Sequence, residues 1–219
     1  MTNRNLFEAV KSGRFEDVKR ALTEEKINAA SYYGAKAVIL ASEKGYIEIL
    51  RVLLENSAKI HRASFWSNSY NIALSSLSRA ARNGYPEIIK LLLKYGANAK
   101  RRDIREAFIE ALLSGNLEIT KMLLEAGAKV NIKDDNGFSP LMLVILLPSE
   151  NTESLVELLL TAGAHVNIER NTWKQEGKIR KLKINTALTY AEELGNTKII
   201  EMLKNAKQYR SPKAKLPKK

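Results

Sequence analysis

The 219-residue sequence predicts an all-α chain, a solenoid of about six helix-turn-helix repeats with short hairpin connections, two of them enlarged. Three observations predict it. Five windows align on one glycine: "RNLFEAVKSG" (Gly13), "KAVILASEKG" (Gly45), "SSLSRAARNG" (Gly84), "EAFIEALLSG" (Gly115) and "TALTYAEELG" (Gly195). Eight residues after each glycine comes an apolar pair or its remnant: Ala21-Leu22, Leu53-Leu54, Leu92-Leu93, Leu123-Leu124 and Leu203-Lys204. Three stretches then continue identically, "LLKYGA" (Leu92 to Ala97), "LLEAGA" (Leu123 to Ala128) and "LLTAGA" (Leu159 to Ala164), and "LLENSA" (Leu53 to Ala58) differs by one serine.

Within each copy, a first short helix runs up to the aligned glycine, and a second carries an apolar stripe such as Ile49, Val52 and Leu53. The glycine after it can take the left-handed backbone that ends a helix. The first copy (Gly13) has no hairpin before it and reads as a polar cap. The second, third and fourth (Gly45, Gly84, Gly115) are full copies. The fifth runs from "SPLMLVILLP" to Leu159-Leu160 with about three extra residues and Asn151 as its glycine equivalent. Its apolar run Leu141 to Leu147 reads as a buried helix whose last residues are exposed. The sixth (Gly195) replaces a leucine by Lys204, a second polar cap. Acid–base pairs three apart recur on the second helices: Glu16/Lys19, Glu48/Arg51, Glu87/Lys90 and Glu118/Lys121. They read as solvated-face charges.

On these residues the chain resembles the ankyrin-repeat family. "NGFSPLML" (Asn136 to Leu143), "SSLSRAARNG" and "TALTYAEELG" follow its G-x-T-P-L-H-x-A-A motif without the histidine, and "GAKVNIKDDNG" (Gly127 to Gly137) looks like its hairpin turn. Tetratricopeptide repeats share the paired helices and a similar period but lack this hairpin segment. The resemblance covers about Asn5 to Ala206 and implies one elongated stack (1–206), each copy burying its apolar face on its neighbours. The segment 207–219, with two prolines and no apolar periodicity, is expected to be a basic disordered tail.

The resemblance also implies hairpins, or fingers, projecting from one edge and lining with the first helices a concave surface that binds other macromolecules. The glycine spacing locates the unusual fingers. Gly45 to Gly84 is 39 residues and Asn151 to Gly195 is 44, against about 33 in the family. The two tryptophans, Trp66 and Trp173, both fall in these insertions. Charge sorts the same way: +2 over Ala58–Tyr70, +3 over Gly96–Arg105, +4 over Gly163–Thr186 and +6 over Lys207–Lys219, against +12 for the whole chain. The excess positive charge therefore sits on fingers and tail.

The expected partner-binding set follows. Arg62, Phe65 and Trp66 come from the first large finger, Arg101, Arg102 and Arg105 from the next, and Trp173, Lys174, Arg180, Lys181 and Lys183 from the second large one. The resemblance places the two residues before each aligned glycine on the concave side, which adds Arg82, Leu113, Leu146 and Leu147 as a floor with an apolar centre. Packing roles for the two tryptophans, and a solubility role for the basic fingers, remain open beside this.

The implied function is non-enzymatic binding of a protein with an acidic surface by a monomeric module. The alternative is nucleic-acid binding by the same basic edge, with tryptophan stacking on unpaired bases. By analogy with bacterial ankyrin-like proteins, delivery into a host cell as an effector is a narrower idea, compatible with the basic C-terminus. No catalytic residue, metal site or cofactor is expected. There is no cysteine, neither His61 nor His165 has a sequence neighbour suggesting a triad or metal set, and no phosphate loop occurs. Asp134-Asp135 reads as turn chemistry. Without a secretory signal or a membrane-length apolar run, the chain is expected to be soluble and cytoplasmic, in its own cell or a host's.

Overall fold

A computed structural model describes residues 4–24, 32–56, 76–95, 102–176 and 179–206. Among these are twelve helices in six pairs and one two-stranded sheet. The pairs are α1 (Arg4–Ser12) with α2 (Phe15–Glu24), α3 (Tyr32–Lys44) with α4 (Ile47–Glu55), α5 (Ser76–Arg82) with α6 (Pro86–Lys94), and α7 (Arg102–Leu113) with α8 (Leu117–Glu125). Then come α9 (Pro140–Leu146) with α10 (Thr152–Thr161), strands β1 (Arg170–Glu176) and β2 (Ile179–Asn185), and α11 (Ala187–Glu193) with α12 (Thr197–Lys204). The chain divides into two compact units, 1–111 and 112–219, with the boundary inside α7. No described helix is long and apolar enough to cross a membrane.

The repeat glycines do what their spacing requires. Gly13, Gly45, Gly84, Gly115 and Gly195 all have φ between 67° and 77°, a region costly to residues with a Cβ. The second helices of the fourth and fifth copies end in the Schellman pattern. Ala128 N–H donates to the Leu123 carbonyl and Ala164 N–H to the Leu159 carbonyl, both at 2.9 Å, with Gly127 and Gly163 at positive φ. One expectation is corrected. Asn151 has φ −96° and directly precedes α10, so it aligns with Asn116 and Asn196, the residues before α8 and α12. The glycine position falls on Glu150, and the additional residues form the loop between α9 and α10.

Helix starts follow capping chemistry. The Ser139 and Thr186 side chains accept from the N–H groups of Met142 and Thr189. Thr189 stands where the family motif has histidine, and its hydroxyl accepts from Thr186 N–H at 2.7 Å and donates to the Thr186 carbonyl at 2.8 Å. The threonine thus closes the first turn on itself.

In the first unit, first helices pack on first helices (α1 on α3, α3 on α5) and second on second (α2 on α4, α4 on α6). Small buried residues, Ala37 and Ala41 of α3 and Ala80 and Ala81 of α5, let the first helices approach. The buried face of α4 is Ile49, Leu50, Leu53 and Leu54, while Val52 is half-buried. The stripe expected through Val52 is therefore rotated by one residue, because α4 packs against α3, α2 and α6 together. In the second unit α9 packs on α11, α8 on α10 and α10 on α12. The run Leu141 to Ile145 is core, as expected. Of the acid–base pairs, Glu16/Lys19, Glu48/Arg51 and Glu87/Lys90 lie at 3.6, 3.5 and 3.9 Å on exposed faces.

The enlarged connection before the sixth copy is a β-hairpin. Its antiparallel register runs Arg170↔Asn185, Asn171↔Ile184, Thr172↔Lys183, Trp173↔Leu182, Lys174↔Lys181, Gln175↔Arg180 and Glu176↔Ile179.

Candidate protein-interaction surface

Large apolar side chains on a folded surface are informative when they recur at the ends of successive helices. In the second unit Leu113 is 40%, Leu147 52% and Leu194 56% exposed. Each ends or directly follows a first helix, α7, α9 or α11, where the departing chain leaves the side chain uncovered. Leu146, one residue inside α9, is half-buried. Leu113, Leu146 and Leu147 are among the expected floor residues. Leu194 was missed, although the same rule of two residues before the glycine selects it.

In the first unit the ends of the first helices are polar, Ser12, Lys44 and Arg82, and the charges at the end of α5 are engaged. Arg82 of α5 donates Nε–H to Glu110 Oε2 at 2.8 Å and Nη2–H to Oε1 at 2.6 Å, a bidentate fork between neighbouring first helices. The Arg82 side chain is 53% exposed and that of Glu110 12%. The hydrogen bond to Glu110 raises the Arg82 pKa above its ordinary value, outweighing desolvation. The stability that the raised pKa contributes is lost as pH climbs through that value, far above the physiological range, so Arg82 is a fixed cation there. Arg79 forms an ion pair with Glu43 of α3, and Asn83 Nδ2–H donates to the Glu43 carbonyl at 2.9 Å.

The hairpin is anchored at its base. Arg170 donates Nε–H to the Asn136 carbonyl at 2.9 Å and Nη1–H to the Tyr190 hydroxyl at 3.3 Å. Its guanidinium lies 3.9 Å from the Phe138 ring centroid. Asn185 is 2% exposed and donates Nδ2–H to Thr172 Oγ1 at 2.8 Å, while its Oδ1 has no hydrogen-bond partner among the described residues. Lys183 is ion-paired with Glu193 of α11. Strand alternation therefore gives the ribbon two faces. Positions 170, 172, 183 and 185 share the face that packs at the base. On the other, Asn171 is exposed and Ile184 is 48% exposed.

The remaining expected site residues are placed as follows. Arg62, Phe65, Trp66 and Arg101 lie outside the described residues, as does the tail 207–219. Arg102 opens α7 and Arg105 is half-buried one turn later. Trp173, Lys174, Arg180 and Lys181 occupy the hairpin beyond its base, with Lys174 and Lys181 brought directly opposite. Asp134-Asp135 is turn chemistry: Asp134 Oδ1 accepts from Asn136 N–H at 3.0 Å and Phe138 N–H at 2.7 Å. No group of His, Asp and Glu able to hold a metal is found among the described residues.

Comparison with known proteins follows the geometry. The family model for ankyrin repeats matches residues 77–171 in three copies. The ankyrin repeat and KH domain-containing protein mask-1 of Caenorhabditis elegans is 30% identical over 170 residues, covering 78% of this chain and 6% of that protein. The ankyrin repeat and SAM domain-containing protein 6 of Rattus norvegicus is 27% identical over 168 residues, 76% of this chain and 15% of that one. The chain thus spans only a small part of such curated relatives. A crystal structure of an ankyrin repeat domain from Acinetobacter baumannii has a TM-score of 0.74 at 25% identity, covering 92% of this chain and 97% of that one.

Proposed function

The chain belongs to the ankyrin-repeat family, and from that premise we propose that it is a non-enzymatic module gripping a protein with an acidic, partly apolar surface. Repeats of this kind generally mediate protein–protein interaction. The observation that carries the reading is the recurrence of exposed leucines, Leu113, Leu147 and Leu194, at three consecutive first-helix ends. A core that could have been completed with polar helix ends, as in the first unit, instead offers apolar anchors to a partner. The same unit carries the basic hairpin with Trp173, Lys174, Arg180 and Lys181, which supports an acidic partner. Arg62, Phe65, Trp66, Arg101, Arg102 and Arg105 extend the proposed contact set.

The test is affinity purification with mass spectrometry, comparing the wild type with Leu147→Asp plus Leu194→Asp. Both side chains are exposed, so the double variant is expected to keep its helical circular dichroism while losing the partner. Undiminished recovery by the folded variant would remove the leucines from the site. A second reading, single-stranded nucleic acid, draws on Trp173 within the basic hairpin. An oligonucleotide titration across a salt series decides it, since phosphate neutralisation produces a steep log–log slope.

A further inference from the structure

Two of the exposed leucines stand among carboxylates, although the chain as a whole is basic. Leu147 directly follows α9 and Leu194 directly follows α11, and these two helices pack together. No atom lies within 4 Å of where a Cβ on Gly195 would stand, so the turn beside Leu194 is open. Glu150 lies three residues beyond Leu147, and Glu192 two before Leu194. Both are exposed, and neither carboxylate has an ion-pair partner among the described residues. The cations at these helix ends are already answered, Lys183 by Glu193 of α11 and Lys198 of α12 by Glu153 of α10. The basic hairpin enters α11 at its opposite end, a helix of seven residues away, which is about 10 Å.

We infer that the ends of α9 and α11 are the docking site for a cationic amphipathic helix of the partner protein. Spacing decides the partner's conformation. Packed helices lie about 8–10 Å apart, so Leu147 and Leu194 offer two apolar contacts at about that separation. Residues seven apart in an α-helix share one face and rise about 10.5 Å. In an extended strand, side chains on one face recur about every 6.8 Å. One such step falls short, and two overshoot at about 13.6 Å. Charge decides the composition. Lysines or arginines flanking the apolar row would lie beside Glu150 and Glu192 and set the orientation of the helix. A nucleic acid would instead bring phosphates against the same carboxylates. The inference rests on the reading of the chain as a protein-interaction module. It divides the partner's contact in two, cations at the leucines and acids toward the hairpin.

The probe is a capped fluorescent helical peptide with leucine at i, i+3, i+7 and i+10 and lysine beside that stripe, titrated against the full chain by anisotropy. The chain carries +12, so it repels a cationic peptide at long range, and binding reports local complementarity. Binding is expected. Leu147→Ser plus Leu194→Ser should weaken it by about tenfold, removing the apolar contacts without adding charge. Glu150→Gln plus Glu192→Gln should weaken it by about fivefold through two exposed attractions. Circular dichroism checks the fold of each variant. A peptide of the same composition with leucine on alternate residues should bind more weakly, and so should one with glutamate in place of lysine.

Equal or tighter binding of the glutamate peptide, no binding of the lysine peptide to folded protein, or no effect of Glu150→Gln plus Glu192→Gln would overturn the inference. A concentration-dependent dimer in sedimentation, abolished by Leu147→Ser plus Leu194→Ser, would assign the site to a second copy and overturn it equally. If the lysine peptide fails while Leu147→Asp plus Leu194→Asp still loses the cellular partner, the cationic helix falls and the interaction-module reading stands.

Discussion

Single residues here act mostly by joining one repeat to the next. Asn131 is the plainest case: its Nδ2–H donates to the Gly163 carbonyl at 3.0 Å and its Oδ1 accepts from His165 N–H at 2.7 Å. One amide side chain thus satisfies both a donor and an acceptor of the following copy. Arg170 does the same for the hairpin, using two hydrogen bonds and a ring contact. Arg170→Ala should lower stability by about 1–2 kcal/mol, read as the urea midpoint by circular dichroism. Arg170→Lys should restore only part, because an ammonium has no planar fork to reach Asn136 and Tyr190 together. Full restoration by lysine would show that charge over Phe138 is all that matters.

At the scale of the element, the aligned glycines were legible because left-handed backbone between two helices is a local demand. Their surroundings were not. A Cβ on Gly115 would meet the Ser149 side chain at 2.6 Å, whereas nothing lies within 4 Å of one on Gly195. Both have nearly the same φ, +67° and +68°. Gly195→Ala should therefore cost only the backbone strain, about 1–2 kcal/mol, and Gly115→Ala about 1–3 kcal/mol more from overpacking. Ser149 cannot step aside freely, since its hydroxyl accepts from Asn151 N–H at 3.3 Å. Adding Ser149→Gly should recover much of the difference, which thermal melts of the three variants will check. Equal melting temperatures for the two alanine variants would contradict the contact.

For the whole molecule the governing quantity is the charge of +12, concentrated outside the repeat helices. Exposed charges of this kind act on encounter more than on the final contact. The association rate with the captured partner should fall several-fold as ionic strength rises from about 0.05 to about 0.3 M, following the shortening Debye length. The dissociation rate should instead respond to Leu147→Asp, whose effect is loss of buried apolar area. Biolayer interferometry separates the two rates. A salt-independent association rate would leave the basic excess with no part in recognition.

The sequence by itself determined the repeat, the helix pairs, the glycine turns, and the exposure of Leu113 and Leu147. Each is set by residues within one copy, or by the same residues meeting their equivalents in the next, so periodicity carries the information. Tertiary structure decided what periodicity cannot express. It placed Glu110 and Glu193 on Arg82 and Lys183, cations expected from the sequence to meet a partner. It rotated α4 toward Leu50, moved the glycine position from Asn151 to Glu150, and turned the long basic connection into a ribbon with Ile184 outward. These outcomes depend on which side chains meet across a repeat boundary, and a difference of one residue in register changes every partner.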